Sequence, residues 1–122
     1  MIVGQTLFSV LKGTEHRADV ALQELAGWVG DAPGHTSHRI LRSFGMSPLA
    51  SALQSEGRES ALHDVHFIFE TQWGSLEAHD DFYGGEPVQR IYGTLHSILT
   101  SGPFEVLYDS VIEQPRHDNV AI

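Results

Sequence analysis

From Leu62 to Trp73 the chain alternates in a way that only an extended strand can use. Val65, Phe67, Phe69, Thr71 and Trp73 fall on one side, and His66, Ile68, Glu70 and Gln72 on the other. Both sides carry apolar area, so both need cover. Residues 2–11 have the same strand character and are closed by Lys12-Gly13. There Ile2, Gly4, Thr6, Phe8 and Val10 share one face, while Val3, Gln5, Leu7, Ser9 and Leu11 share the other.

Helical stripes follow each of these strands. Thr14 is a candidate cap, Glu15 stands in the first turn, and Ala18, Ala21, Leu22, Leu25, Trp28 and Val29 recur at helical spacing up to Gly30. Asp31-Ala32-Pro33-Gly34 reads as a turn, and a second strand is expected over roughly 35–44. Residues 45–60, with Gly45, Pro48, Gly57 and several Ser, read as an insertion between strands two and three. Ser75 caps a short helix through Phe82, and Gly84-Gly85 breaks it. A second helix then starts near Pro87, with a stripe of Val88, Ile91, Tyr92, Leu95, Ile98 and Leu99. Gly102-Pro103 is expected to stop that helix, 104–112 to form the last strand, and 115–122 to be a tail.

The order β-α-β-β-α-β predicts an α+β, ferredoxin-like fold with two helices on one face of a four-stranded antiparallel sheet. One domain over 1–114 accounts for nearly all of the 122 residues. The sheet face away from the helices would hold Val3, Leu7, Leu11, Leu41, Ile68, Leu107 and Val111, so a homodimer covering that face is expected.

Composition excludes several functions. A formal charge of −9 sets the surface against phosphate backbones and anionic lipid, so neither nucleic acid nor membrane is an expected partner. Without cysteine there is no disulfide, thiolate nucleophile or Cys-ligated zinc. No apolar run reaches membrane-spanning length and the start lacks a basic leader, so a cytoplasmic location is expected. Phosphate-binding loops, dinucleotide fingerprints and Gly-x-Ser-x-Gly elbows are missing from the sequence.

Eight histidines raise proton transfer and metal binding as possibilities. The steps His35-x-x-His38 and His63-x-x-His66 are odd, which on a regular strand sends the two rings to opposite faces, so no metal site is expected from either pair. His66 and Glu70 share a strand face and would need further, distant ligands.

Several stretches together resemble the antibiotic-biosynthesis-monooxygenase family of the dimeric α/β-barrel superfamily. They are Ala32-Pro33-Gly34 with Thr36-Ser37-His38-Arg39-Ile40-Leu41, Phe67-Ile68-Phe69-Glu70-Thr71-Gln72-Trp73, Ser75-Leu76-Glu77-Ala78-His79 and Gly102-Pro103-Phe104-Glu105-Val106. The chain departs from the family pattern at Thr71, where an acidic residue is usual two positions before the tryptophan, and has Glu70 one place earlier. The haem-degrading branch is disfavoured, because Thr6, Phe82 and Tyr92 stand where that branch has Asn, Trp and His.

The resemblance implies a cofactor-independent monooxygenase acting on a hydroxylated aromatic or polyketide-like small molecule, with a cleft between the helices and the sheet. It implies His79 or His96 as base and Tyr92 or Tyr108 as donor to an oxyanion, and no bound cofactor or metal. Thr6, Phe8, His38, Phe67, Trp73 and Tyr108 would line the substrate cleft, although the aromatic residues could equally fill the core. A cyclase or isomerase using the same acid and base is one rival, and a non-catalytic dimeric ligand-binding or stress-related domain is another.

Overall fold

The computed structural model describes residues 1–47, 49 and 63–115. Among the described residues the elements are β1 (Ile2–Leu11), α1 (Glu15–Gly30), β2 (His35–Arg42), β3 (Asp64–Trp73), α2 (Leu76–Tyr83), α3 (Glu86–Gly93) and β4 (Leu99–Asp109). They form a four-stranded antiparallel sheet of order β2-β3-β1-β4 with the helices on one face, the expected α+β, ferredoxin-like arrangement. The insertion expected over 45–60 lies mostly outside the described residues, as does the tail beyond 115.

The central pairing of β1 with β3 sets the core. Its register places Thr6 opposite Phe69 and Phe8 opposite Phe67, so the two inward faces read from the sequence coincide. Phe8 and Phe67 stack with centroids 5.3 Å apart, and Phe69 and Trp73 are fully buried beside them. The apolar stripe of α1 (Ala18, Ala21, Leu22, Leu25, Val29) and that of α3 (Val88, Ile91, Tyr92) close over these rings. Each ring or branched side chain so buried contributes about 1.5–3 kcal/mol. Among the described residues, no helix is long and apolar enough to cross a membrane.

Three expectations are corrected. The last helix ends at Gly93, residues 94–98 form successive turns, and β4 begins at Leu99. Gly102-Pro103, a cis peptide, therefore lies inside the strand and not ahead of it. Gly102 has φ +74, and a side chain there would strike the carbonyl of Leu7 and the backbone of Phe8, so the residue suits the irregular pairing of β4 with β1. Last, the sidedness of β4 is the reverse of the expected one. Leu107 pairs with Gly4 and faces the helices, while Tyr108 pairs with Val3 and lies on the outer face. Both faces of this edge strand carry large side chains, so its own alternation leaves the choice open and only the register with β1 makes it.

Gly34, at φ +84, ends the turn before β2, and a Cβ there would come 2.5 Å from that of Ala78. Gly34→Ala should destabilise the fold by more than about 1 kcal/mol in chemical denaturation. Gly27→Ala, in the interior of α1 with nothing within 4 Å of the added carbon, should stabilise it by about 0.5–1 kcal/mol.

Candidate functional site

The helix-facing side of the sheet contains a polar cluster centred on His79 within the apolar core. Ser75, in extended conformation, caps α2 by accepting a hydrogen bond from the Ala78 amide at 3.2 Å. His79, one turn along, points inward and is 4% exposed. Its Nε2 lies 2.7 Å from Glu105 Oε1 on β4, and its Nδ1 lies 2.8 Å from Oδ1 of the exposed Asp80. A ring with both nitrogens protonated donates to both carboxylates. A neutral ring donates to one of them and accepts from the other carboxyl in its protonated form.

Glu105 reaches this position because it sits opposite Thr6 in the β1 register and because Gly4, two residues earlier on the same face, leaves room for it. A Cβ on Gly4 would collide with Glu105 Oε2. Burial raises the Glu105 carboxyl above the ordinary carboxylate range, and the hydrogen bond from His79 only partly offsets that. Among the described residues, its second oxygen, Oε2, is buried without a hydrogen-bond partner.

Two tyrosines complete the cluster. Tyr83, four residues after His79 and on the same face of α2, stacks on the imidazole at 4.6 Å, and its hydroxyl lies 3.4 Å from Thr6 Oγ1. Burial, and then the Glu105 charge, push the Tyr83 phenol up to about 12. Burial raises Tyr92 on α3 further, and among the described residues its hydroxyl also has no hydrogen-bond partner. Both phenols therefore stay protonated at neutral pH and serve as donors. Trp73 meets His79 edge-on at 6.0 Å and donates through Nε1 to Thr71 Oγ1 at 2.8 Å. That bond explains the departure at position 71, where a threonine hydroxyl holds the indole from inside the core.

Of the residues expected at the site, His79, Tyr92, Thr6 and Trp73 are brought together. Phe8 lies next to them, edge-on to Tyr92 at 5.8 Å, with Phe67 stacked beneath it. Phe8, Phe67 and Trp73 are at most 2% exposed and fill the core, so the expected cleft is closed in this conformation. His38 lies on the helix-facing side of β2 but in solvent, with its ring 6.3 Å from that of Phe69. His96 is exposed in the turns after α3, away from the cluster, because the helix ends before reaching it. Tyr108 is on the opposite face of the sheet. Sequence reasoning did not identify Glu105 or Tyr83. The four-residue step from His79 could have found Tyr83, whereas only the pairing register brings Glu105 inward.

A groove of about 370 Å³ opens beside the cluster, lined by Trp28, Ala32, Pro33, Ala78, Phe82 and Pro87, with Asp31 and Asp81 at its rim. Phe82 separates it from the core, packing on Trp73 at 5.4 Å.

The outer face carries a second polar group. Glu70 accepts from Gln5 Nε2 at 2.8 Å and from Arg39 Nε at 2.8 Å. Burial alone would raise this carboxyl, but the bonds from Arg39 and Gln5 and the Arg39 charge outweigh it and hold it below the ordinary range. His66 lies on the same face and is bonded to Ser9. Among the described residues, no group of three His, Cys, Asp or Glu gathers as a metal site.

Neither a protein-family model nor a curated protein sequence matches the chain. Solved structures do. A Nitrosomonas europaea protein described as an antibiotic biosynthesis monooxygenase superposes with a TM-score of 0.68 at 13% identity, covering 92% of this chain and 100% of its own. SnoaB, a cofactor-independent oxygenase from Streptomyces nogalater, gives 0.61 at 14% identity over 94% and 98%. Rv0793 from Mycobacterium tuberculosis gives 0.65 at 10% over 93% and 98%. The chain has the fold of the antibiotic biosynthesis monooxygenases, and at these identities the likeness extends to the fold alone.

The two carboxylates should respond to pH in opposite directions. The folded state holds the Glu105 proton more tightly than the unfolded chain, so the stability Glu105 contributes is present below the unfolded carboxylate pKa of 4.5 and is lost as pH rises through the folded value. Relative to Glu105→Gln, the wild type should thus lose stability as pH rises from 4.5. Glu70 is depressed, so relative to Glu70→Gln the wild type should gain stability as pH rises toward 4.5. Denaturation midpoints across that range check both signs.

Proposed function

We propose that the chain is a cofactor-independent monooxygenase acting on a hydroxylated aromatic or polyketide-like small molecule. The observation that carries this reading is the part-buried His79–Glu105 pair at 2.7 Å, set among protonated phenols and aromatic rings, with the Tyr92 hydroxyl and Glu105 Oε2 left without a hydrogen-bond partner among the described residues. Buried polar atoms without partners are few in stable cores, and here two of them lie where a substrate hydroxyl would find both a donor and an acceptor.

The His79–Glu105 pair takes a proton from the phenol or from the activated carbon of an anthrone-like substrate, received at the free Glu105 Oε2 while His79 holds Oε1. Tyr92, assisted by Tyr83, donates to the oxyanion that forms, and Trp73 and Phe8 supply the stacking surface. The carbanion gives its electrons to dioxygen and forms a carbon–oxygen bond. Loss of the remaining C–H proton and cleavage of the O–O bond then leave a ketone, with the second oxygen departing as water. Overall, one ring methylene and one dioxygen become one ketone carbonyl and one water. The rings now fill the core, so substrate entry requires α2 and α3 to part from the sheet, and the groove beside Phe82 is the approach.

Oxygen uptake with a panel of anthrone-like phenols, using protein freed of metal and flavin, tests the reaction. Uptake of one dioxygen per ketone formed is expected, falling by about 100-fold or more in His79→Gln. Product formation without oxygen would instead favour a cyclase or isomerase. No turnover of any member, with or without oxygen, would leave a non-catalytic binding domain and contradict the proposal.

The same reading includes a homodimer through the outer face of the sheet. Val3, Leu7, Ile68, Phe104, Val106 and Tyr108 lie there, and the last three are 38–56% exposed in one subunit, an apolar surface that a second copy would cover. Light scattering should give twice the chain mass for the wild type and the chain mass for Leu7→Glu. A monomeric wild type would contradict this assembly.

A further inference from the structure

The odd step between His35 and His38 does not separate their rings. The pairing of β2 with β3 slips between His35 and Ser37, so that His35 stands opposite Trp73 and His38 opposite Thr71, both on the helix-facing side. The rings lie with centroids 5.0 Å apart and planes at 41°, and His38 Nδ1 is 3.0 Å from His35 Nε2. We infer that His35 and His38 form a two-imidazole binding site for a divalent transition ion that takes its ligands at right angles, copper(II) or nickel(II).

The separation carries the argument. Two imidazole nitrogens at a usual metal–nitrogen length of about 2.1 Å, set 3.0 Å apart, subtend roughly 90° at the ion. That is the angle between neighbouring ligands in square-planar and octahedral sites, whereas a tetrahedral zinc site needs about 3.4 Å between its nitrogens. Copper(II) also stands highest in the general affinity order for nitrogen ligands.

Binding needs no net loss of a proton: the ring whose facing nitrogen carries hydrogen moves it to its other nitrogen. With no third His, Cys, Asp or Glu gathered here among the described residues, the remaining positions belong to water or a small external ligand. The pair is separate from the His79–Glu105 cluster, since Trp73 stands between them, 5.8 Å from His35 and 6.0 Å from His79. The inference is therefore independent of the proposed reaction.

Trp73 provides the readout, because a paramagnetic ion on the pair quenches the adjacent indole. Trp28→Phe leaves Trp73 as the single tryptophan. Untagged, metal-stripped Trp28→Phe protein is titrated with copper(II), nickel(II) and zinc(II) in turn. Zinc, which does not quench, is followed by its competition with copper. Saturation at one copper per chain is expected, with nickel weaker and zinc weakest. His38→Ala, at an exposed position, should weaken copper binding at least about tenfold. His16→Ala and His96→Ala, also exposed, should leave it unchanged. An affinity unaltered by His38→Ala, tighter binding of zinc than of copper, or the absence of saturable quenching would overturn the site and leave a simple N–H···N hydrogen bond.

Discussion

The pairing of β1 with β3 is the constraint on which the rest of the molecule depends. Ten residue pairs in unbroken register, from Ile2 with Trp73 to Leu11 with Asp64, put Thr6, Phe8, Phe67, Phe69, Thr71 and Trp73 on one side of the sheet. A slip of one residue would exchange that side for Gln5, Leu7, His66, Ile68, Glu70 and Gln72, and neither the helices nor the polar cluster would have a floor. The two edge strands attach to this pair and bring one decisive side chain each. β4 brings Glu105 under His79, and β2 brings Arg39 to Glu70 on the far face.

The two carboxylates solve the same physical problem in different ways. Glu70 is held as an anion by a guanidinium and an amide, a fixed polar link across three strands. Glu105 has an imidazole and, less strongly, the Tyr83 hydroxyl in place of a cation, so burial dominates and its proton is held more tightly. A carboxyl of the first kind ties strands together. One of the second kind, against a histidine, is suited to exchange a proton, and this contrast directs attention to the helix-facing side of the sheet as the site of chemistry.

Much of this was legible in the sequence where periodicity was strong. The alternation of residues 65–73 and the stripes of α1 and α3 gave the fold class, and the resemblance carried by Ser75-Leu76-Glu77-Ala78-His79 pointed to the imidazole on α2. What was hidden depended on register and irregularity. Glu105 looks like a solvent-facing acid in Phe104-Glu105-Val106 until pairing with Thr6 turns it inward. Tyr108 and Leu107 exchange sides for the same reason. His96 falls outside the site because turns replace the end of the helix, and His35 joins His38 because one residue of β2 is bulged. Alternation counts residues along a strand, whereas bulges and edge registers are settled by partners far away in the chain.

The proposed chemistry requires His79 and Glu105 to share a proton inside the core. The most direct measurement is a nitrogen-15 correlated NMR spectrum of the histidine side chains in wild type and Glu105→Gln. An Nε2-bound proton on His79 is expected that is protected from exchange with water and shows close contacts to Tyr83 and Trp73, with its resonance displaced when Glu105 becomes an amide. A His79 ring proton that exchanges freely with solvent and does not respond to the change at position 105 would contradict that requirement.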